Sequence, residues 1–381
     1  MSSSTQSDQF PLSQGRGFLD MFDTGNKQAL IAASIAAAVV WLPAAILSAV
    51  RGGGSFASFL TDYSAQSRFL IVIPALVLAE PTLHARLTLV AHHFETFLVP
   101  HEELPKFRAD WASLETLRNS KIAKLVILVL VYATVAWLEQ YLSPSTLMPW
   151  CKGGGGLRYL SPAGTWFFFV SYPILLYLVL MWLWRQLLWT RFLRSTTRLN
   201  LSLIAAHPDQ LGGLGFIEAS LRGQLPFSFC LGVGMAGAVA NRVLHQAHSL
   251  YHFTYSVLMV VAAVLLICVA PYCVFISTLL KMRRHGMLRY GAFARAVGEQ
   301  FEKKWLDRAD SLDEGVLDVP DFSTTTDLFG VVNNINNIRV IPVGAVDVYG
   351  LVIIALIPGI PVVLAAIPFN ALMQEAVKVL F

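Results

Sequence analysis

Seven apolar segments alternate with polar stretches along the chain. Each approaches the ~20 residues that a helix needs to cross the hydrocarbon of a bilayer. Lipid offers no hydrogen-bond partners, so a spanning segment must pair its backbone groups internally, as an α-helix does. The pattern predicts an all-α fold, a polytopic transmembrane helical bundle with about seven membrane segments. The segments are Ala29–Val50, Phe69–Val90, Ile122–Leu142, Thr165–Trp189, Phe227–Leu244, Thr254–Leu280 and Tyr349–Phe369.

Two of these segments are irregular and leave alternatives open. The second is uninterrupted only to Ala79, because Glu80 and Pro81 follow. It crosses the membrane if the helix continues to about Val90, whereas a helix that leaves the membrane at Ala79 would place these residues at the surface. The seventh segment either spans the membrane or turns back as a re-entrant hairpin. The prolines that interrupt it are Pro358, Pro361 and Pro368.

The polar stretches divide the chain into four regions. These are a polar cytosolic N-terminal segment, six spans, a cytosolic helical segment, and a membrane segment with a terminal helix, at residues 1–27, 28–280, 281–345 and 346–381. Apolar residues recur at helical spacing twice in the third region, which predicts two amphipathic helices. Their apolar faces are Phe293, Val297, Phe301 and Trp305, then Leu328, Val331, Val332, Ile335 and Ile338. We expect the two helices to pack on each other or to lie at the membrane surface.

Positive charge is concentrated in alternate connections between the segments. The connections after the second, fourth and sixth segments are rich in lysine and arginine, and the others are poorer. By the positive-inside rule, this bias predicts a cytoplasmic N-terminus. The first apolar run is longer than a signal-peptide core, so we expect it to remain as an anchor. We predict a multi-pass protein of the bacterial inner (plasma) membrane, with membrane lipids as partners.

Composition narrows the functions further. Only 14% of the residues are charged, compared with about 25% in soluble domains. The net charge of +4 does not suggest a nucleic-acid partner. A dinucleotide fingerprint, Gly232-x-Gly234-x-x-Gly237, lies inside the fifth segment, where the strand that it requires is not predicted. Small residues recur there every four positions, at Ser228, Gly232, Ala236 and Ala240, which we interpret as a face for close helix packing, and we predict no cofactor.

The second segment carries the strongest candidate for an ion pathway. Ionisable residues near mid-membrane cost roughly 2.5–3.5 kcal/mol, so they usually face a bundle interior or water. Glu80 and His84 are four residues apart and share a helix face, so they can exchange a proton or bind a cation. Pro81 frees the carbonyl of Val77 as a further ligand. Arg86 lies ~220° around the helix from Glu80 and is expected to face another surface.

A glycine-rich connection between the fourth and fifth segments is the second candidate. Three glycines within four positions permit positive φ and close approach of the backbone to a partner. A histidine and two carboxylates could act as metal ligands. The residues are His207, Asp209, Gly212, Gly213, Gly215 and Glu218. Two interpretations remain open, namely a site for an unidentified cation and a rigid turn between two spans.

Basic residues and histidines near the membrane surface give two weaker signals. Three arginines after the fourth segment are spaced to lie on one side of a helix: Arg191, Arg194 and Arg198. Anionic lipid headgroups are their expected partners, at ~1 kcal/mol per contact, and an anionic ligand is the alternative. Three histidines have a spacing that suits a metal on a helix, but no carboxylate lies nearby: His245, His248 and His252.

Three stretches resemble segments of uncharacterised bacterial polytopic inner-membrane proteins. They are His-Pro-Asp to Gly-Gly-Leu-Gly-Phe at 207–216, Asp-Leu to Pro at 327–342, and the proline-broken end. The resemblance covers the C-terminal half and implies a multispan fold. It implies no activity and assigns no functional residue.

These features predict a homo-oligomeric membrane channel or channel-like transporter for ions or small solutes. Proline-broken helices and intramembrane ionisable groups suit backbone that lines a water-filled cavity. The alternative is a membrane-embedded enzyme or lipid-handling protein built on Glu80, His84, His92 and His93. Against an enzyme, no H-E-x-x-H pattern occurs. A scaffold without chemistry of its own is a third interpretation.

Overall fold

The computed structural model describes residues 18–140, 147–153, 160–246, 253–306 and 321–366. Helices account for 84% of these residues, and no β-strand occurs among them. The all-α class is therefore confirmed. The polar segment before residue 18 and the helix predicted after residue 366 lie outside the described residues.

Seven helical runs within the described residues are long and apolar enough to cross a membrane. In chain order they are Lys27–Arg51, Tyr63–Leu98, Lys121–Gln140, Pro162–Thr196, Gly215–His245, Thr254–Trp305 and Ala345–Ala365, and we refer to them as spans one to seven. Their number and order confirm the predicted bundle, and the chain is a multi-pass membrane protein. Spans two, four and six are much longer than the ~20 residues that a bilayer requires, so they continue beyond the hydrocarbon.

The α-helices in chain order are α1 Phe18–Arg51, α2 Ser55–Leu60, α3 Tyr63–Ser67, α4 Ile73–His93, α5 Leu104–Asn119, α6 Lys121–Gln140, α7 Pro162–Trp166, α8 Tyr172–Thr196, α9 Glu218–Arg222, α10 Leu225–Gln246, α11 Thr254–Val264, α12 Ile276–Trp305, α13 Asp321–Asn336, α14 Ala345–Leu356 and α15 Ile360–Ala366. The predicted region boundary at residue 280 falls inside α12, because the sixth span continues to Trp305 without a break.

Wide π turns precede proline at four places in the described residues. Each turn has five residues, and the proline lies two positions beyond its end: Arg68–Val72 before Pro74, Phe94–Leu98 before Pro100, Phe167–Ser171 before Pro173 and Leu265–Val269 before Pro271. Proline lacks an N–H, and its ring clashes with the carbonyl four residues back. A wider turn displaces that carbonyl. These prolines therefore distort their helices locally, and three of the four helical runs continue beyond the proline.

Side chains of other spans pair with carbonyls that proline leaves free. The indole Nε1 of Trp166 donates a 3.2 Å hydrogen bond to the carbonyl of Val39, four residues before Pro43. The hydroxyl of Tyr132 donates to the carbonyl of Phe169 at 3.4 Å, again four residues before a proline. Such bonds tie spans together where lipid cannot satisfy the backbone.

Span five packs closely on its neighbours through glycine. A Cβ at Gly232 would overlap the backbone carbonyl of Ala355 in α14, and a Cβ at Gly237 would overlap the side chain of Ser67 in α3. Gly234 faces open space instead. The small-residue packing face predicted for this segment is confirmed at Gly232, where two helix backbones meet.

The positively charged connections gather at one end of the bundle, which we term the basic end. The connections after spans two and four meet where the N–H of Ser202 donates to the carbonyl of Leu98 at 2.8 Å. Those after spans four and six meet where the N–H of Arg339 donates to the carbonyl of Gln210 at 3.0 Å. This grouping agrees with seven alternating spans. That the basic end faces the cytosol stays a prediction.

Span seven runs from the basic end to the opposite end. Near its start, Asp347 forms a 2.9 Å ion pair with Arg222. Near its end, Val363 lines an apolar pocket with Phe253, the residue before span six. A short 3₁₀ turn at Ile357–Gly359 joins α14 and α15 without reversing the chain. As far as residue 366, the segment therefore crosses the bundle and does not form a hairpin.

The two predicted amphipathic helices correspond to the end of α12 and to α13. They pack on each other, since the ring of Phe322 lies 4.9 Å from that of Phe301 and 5.2 Å from that of Trp305. An ion pair between Lys304 and Asp321 joins the same ends. This part of the helical layer is stabilised by aromatic packing between the two helices.

Candidate functional site

A small recess at the basic end lies between α4, α5 and α8, with a cavity volume of about 20 Å³, enough for one water molecule. Its charged and polar wall consists of Glu80, His84, Arg118 and Arg185. Leucine and tryptophan side chains form the remainder: Leu83, Leu87, Trp111, Leu114, Leu188 and Trp189. Both ionisable residues singled out in the second segment thus line one recess. Arg118 and Arg185, which the sequence did not identify as site residues, line the same recess.

Glu80 forms an ion pair with Arg185, which joins span two to span four. The Arg185 side chain is 16% exposed and that of Glu80 is 41% exposed. The guanidinium Nε of Arg185 is buried without a hydrogen-bond partner. The carboxylate therefore neutralises a largely buried cation.

His84 is contacted by Arg118 and not by Glu80. The Nη1 atom of Arg118 lies 2.6 Å from Nδ1 of the imidazole and 3.2 Å from Oε2 of Glu115. The same Nη1 atom lies 2.9 Å from Nε2, and Oε1 of Glu115 lies 3.9 Å from Nδ1. A guanidinium only donates and a neutral imidazole has one acceptor nitrogen, so only one of the two Arg118 contacts can be a hydrogen bond. His84 therefore has one cation and one carboxylate beside its ring.

The helix around these residues is continuous. Pro81 lies inside α4, which continues to His93. Glu80 is therefore not at the end of a short helix. The side chain of Arg86 lies beside α9, since a Cβ built on Gly223 would be 3.3 Å from its Cδ. Arg86 does not line the recess, which agrees with its position on a different side of the helix from Glu80.

The histidines of the enzyme alternative do not gather in this recess. The ring of His93 lies 4.1 Å from the ring of Phe216 and 4.6 Å from that of Phe97. Nine residues separate it from His84, or about 13 Å along a helix. His92 is exposed. The arrangement does not bring the four residues into one catalytic cluster.

Asp209 organises the glycine-rich loop through its carboxylate. The carboxylate accepts hydrogen bonds from the N–H groups of Leu211 at 2.8 Å, Gly213 at 3.0 Å and Gly215 at 2.9 Å. The Nδ1 atom of His207 lies 2.7 Å from it. Burial raises the pKa of Asp209, but the three backbone donors and His207 outweigh that effect and hold the pKa below its usual value. These donors occupy the oxygens that a cation would need.

The glycines of this loop have the conformations that their sequence suggests. Gly212 and Gly213 have φ of +69° and +97°, and a Cβ at Gly212 would overlap the side chain of Met282. Gln210 also has a positive φ, of 56°, and donates a 2.9 Å hydrogen bond to Asn334. The loop is fixed by α12 and α13, an arrangement that favours the rigid-turn interpretation.

Glu218 lies apart from the Asp209 carboxylate. Its Oε1 atom accepts a hydrogen bond from Arg339 at 3.2 Å, and the same arginine reaches the backbone carbonyl of Asp209 at 3.4 Å. No group of three or more histidine, cysteine, aspartate or glutamate side chains suited to a metal ion occurs in the part of the chain that the structure describes. Glu218 instead ties α9 to the connection before span seven.

The basic row and the histidine row fall at opposite ends of the bundle. Arg191 and Arg194 are exposed on α8, and Arg198 is exposed two residues beyond its end. Contact of this row with lipid headgroups stays a prediction. The ring of His245 lies 5.7 Å from that of Tyr63. The other two histidines of the row, His248 and His252, lie outside the described residues.

A second recess, with a cavity volume of about 230 Å³, opens at the opposite end of span two. Asp62, 7% exposed, accepts hydrogen bonds there from Nε1 of Trp150 at 2.9 Å and from Nδ2 of Asn241 at 2.6 Å. Arg68 also lines this recess. The pattern of apolar segments gave no reason to select these residues, because they come together from parts of the chain that are distant in sequence. Arg68 and Arg185 could still have been noticed as cations at the edge of, or inside, apolar runs.

Packed apolar side chains separate the two recesses along span two. Phe69, Val72, Ile73 and Leu76 are 0–4% exposed. From Asp62 to Glu80 the chain advances 18 residues, about 27 Å along a helix. Span two therefore has one charged recess at its start and another near its midpoint, with tightly packed side chains between them. No family model, curated protein or solved structure matches the chain.

Proposed function

We propose that the chain is a transport protein for ions or small charged solutes, with span two along the path. The observation that carries the proposal is a pair of charged recesses on this one helix, one at its start beside Asp62 and one near its midpoint beside Glu80. Ionisable groups inside a membrane protein usually face water or a substrate path, because lipid solvates them poorly.

The packed stretch of span two between the two recesses makes the present conformation a closed one. Phe69 and Ile73 are fully buried there. Passage would require these side chains to move, as they do when a carrier alternates its access or when an apolar gate opens. The π turn at Arg68–Val72 and Pro81 bracket the packed stretch. Both are points at which a helix bends more readily.

The proposal includes the setting of the protein. We place the basic end in the cytoplasm of a bacterium, with the inner membrane around the bundle and anionic headgroups on the row Arg191, Arg194 and Arg198. We also propose a homo-oligomer. Span three offers one surface for it, because its apolar side chains are largely uncovered by the rest of the chain, with Ile122 75% exposed and Val129 61% exposed. In the membrane, lipid or a second copy covers them.

A lipid-handling protein is the second candidate function. The observation that favours it is the composition of the basic-end recess, where Arg118 and Arg185 stand beside leucine and tryptophan walls. The chemistry of these walls suits an amphiphile with an anionic headgroup and an apolar tail, and the recess would have to widen to admit one. The two candidates differ in outcome, since a transport protein dissipates a solute gradient whereas a lipid-handling protein changes the position or chemistry of lipid.

Reconstitution distinguishes these candidates. Purified protein in liposomes is tested for salt flux, proton flux and lipid movement between leaflets, and the particle mass is measured in parallel. Transport predicts solute flux that Glu80→Gln alters, while the exposed-site variant Glu299→Gln behaves as wild type. Lipid movement without solute flux would favour the second candidate. Absence of both would overturn the transport proposal.

A further inference from the structure

We infer that the recess at the opposite end of span two binds a small zwitterion, with its anionic group on Arg68 and its amine on Asn241 and Asp62. The inference deepens the proposed function, because it names a substrate class for one end of the proposed path. It rests on three polar groups that could form further hydrogen bonds or an ion pair beyond those that the described residues provide.

Asn241 provides the first of these groups. The residue is 5% exposed and lines the recess. Its Nδ2 atom donates to Asp62, which fixes the orientation of the amide and leaves Oδ1 as an acceptor. That Oδ1 atom is buried and has no hydrogen-bond partner. An unsatisfied buried acceptor costs free energy, so an N–H donor from a ligand would be favoured there.

Asp62 provides a negative charge beside that acceptor. Its Oδ1 atom already accepts the N–H of Ala65 and the amide of Asn241, whereas Oδ2 accepts, among the described residues, only the indole of Trp150. A carboxylate oxygen can accept a further hydrogen bond. The free capacity of Oδ2 and of the Asn241 oxygen together suits an ammonium group, which has three donors.

Arg68 provides the positive charge. It is only partly exposed and lines the same recess. Within the described residues, no carboxylate lies within 4.0 Å of its guanidinium, and no side chain or carbonyl there accepts a hydrogen bond from it. A guanidinium presents five donors in a fork that matches a carboxylate. A cation left without such a partner beside apolar walls favours an anionic ligand.

The remaining walls limit the ligand to a small molecule. Trp150, Phe167 and Phe168 line the recess with their rings. With Asp62 and Arg68 the site carries one charge of each sign, so a neutral zwitterion leaves its net charge unchanged. A free cation would face Arg68 and a free anion would face Asp62. An α-amino acid has the required groups a few ångströms apart.

The test is ligand binding by the purified full chain in detergent, by calorimetry and by thermal unfolding. The probes are glycine, L-alanine and L-phenylalanine, with acetate and methylammonium as single-charge controls. At least one amino acid is expected to bind saturably and more tightly than either control. Arg68→Gln should weaken that binding about tenfold or more, as expected for one lost charged contact. Arg242→Gln removes the same charge from an exposed neighbour outside the recess and should bind as wild type.

Two further variants keep the inference falsifiable if Arg68→Gln does not fold. Arg68→Lys retains the charge without the fork and should bind more weakly than wild type. Asn241→Ala should weaken amino-acid binding while leaving acetate binding unchanged. Equal binding of acetate and amino acids would overturn the zwitterion assignment, and so would binding that none of the recess variants alters. Binding without flux in liposomes would leave this inference standing and overturn the transport proposal, whereas flux without binding would do the reverse.

Discussion

The side-chain amide of Gln186 donates a 3.0 Å hydrogen bond to the backbone carbonyl of Ile267, four residues before Pro271. Proline removes the N–H that would have paired with this carbonyl in a regular helix. Gln224 in turn donates to Oε1 of Gln186 at 2.7 Å and accepts from Trp182 at 3.1 Å. Three spans are thus linked by one chain of buried amides that ends on a proline-freed backbone group.

Removing the first amide should destabilise the bundle. Gln186→Leu removes the donor to the carbonyl of Ile267 and the acceptor of the Gln224 side-chain NH2 group, at a cost of about 1–3 kcal/mol. Thermal unfolding in detergent measures the loss. The double variant with Gln224→Leu should lose less than the sum of the two single variants, because both act on one network. Strict additivity would show that the two amides are not coupled.

Span five offers a test of close helix packing with an internal control. Gly232→Leu forces α10 away from α14, because the new side chain would meet the carbonyl of Ala355. Gly234→Leu introduces the same side chain two residues further on, where nothing lies within 4 Å. Gly232→Leu should therefore lower the unfolding temperature and the yield of folded protein, while Gly234→Leu should not. Equal effects would mean that packing against span seven is not the cause.

Hydrophobic patterning was sufficient to predict the fold, because a bilayer imposes its own length and hydrogen-bonding rules on every span. The same patterning identified Glu80 and His84 as candidate site residues but could not identify Arg118. The position of Arg118 depends on how α5 packs against span two. It also could not foresee Asn241 and Asp62, which meet across 179 residues of sequence. Interactions between distant segments leave no periodic signal in the sequence of either one.

The Asp209 loop should respond to substitution and to pH in a defined direction. Asp209→Asn weakens three hydrogen bonds to a charged acceptor and should lower stability by about 1–3 kcal/mol. The pKa of Asp209 is lower in the folded protein than its usual value of 3.8. The stabilisation is therefore complete above that value and is lost as the pH falls through the lower, folded-state pKa. Unfolding measured between about pH 6 and pH 2 should show an acid-dependent loss that the variant lacks. The exposed-site variant Asp327→Asn should retain it.

Substitution of Gly213 in the same loop distinguishes the effect of backbone strain from the effect of steric crowding. A Cβ at this position would meet only Leu98, at an ordinary 3.5 Å, but φ is +97°. Gly213→Ala should therefore cost about 1–2 kcal/mol through backbone strain alone. Gly291→Ala, at a helical glycine with open space around it, should be neutral or stabilising. A neutral Gly213→Ala would show that the loop relaxes.

Cysteine labelling tests which end of the bundle faces the cytoplasm. Ala57→Cys and Ala296→Cys place exposed thiols near the opposite end and on the extension of α12 at the basic end, respectively. In intact cells, a membrane-impermeant thiol reagent should label the first variant and not the second. Wild-type protein is the control for its native cysteines, of which Cys151, Cys230 and Cys268 are buried and Cys273 is partly exposed. The reverse pattern would invert the proposed orientation, and labelling of both from outside would contradict the alternation of spans.

The Glu80–Arg185 ion pair provides the sharpest test of the proposed path. Glu80→Gln leaves the largely buried Arg185 without its counter-charge, and Arg185→Gln leaves Glu80 without its partner. Each single variant should lose about 1–3 kcal/mol of stability, and the double variant should recover part of the loss because neither charge remains. If the ion pair is purely structural, the flux of each variant in liposomes should change only as its stability changes.

If the ion pair lies on the path, the double variant should fold well, yet its flux should differ from that of the wild type in ion selectivity or pH dependence. His84→Ala should shift the same property, since it lines the same recess, whereas Arg86→Gln, which lies beside α9, should not. If flux in the double variant keeps the selectivity and pH dependence of wild type, the recess does not lie on the path, and Glu80 serves only to hold spans two and four together.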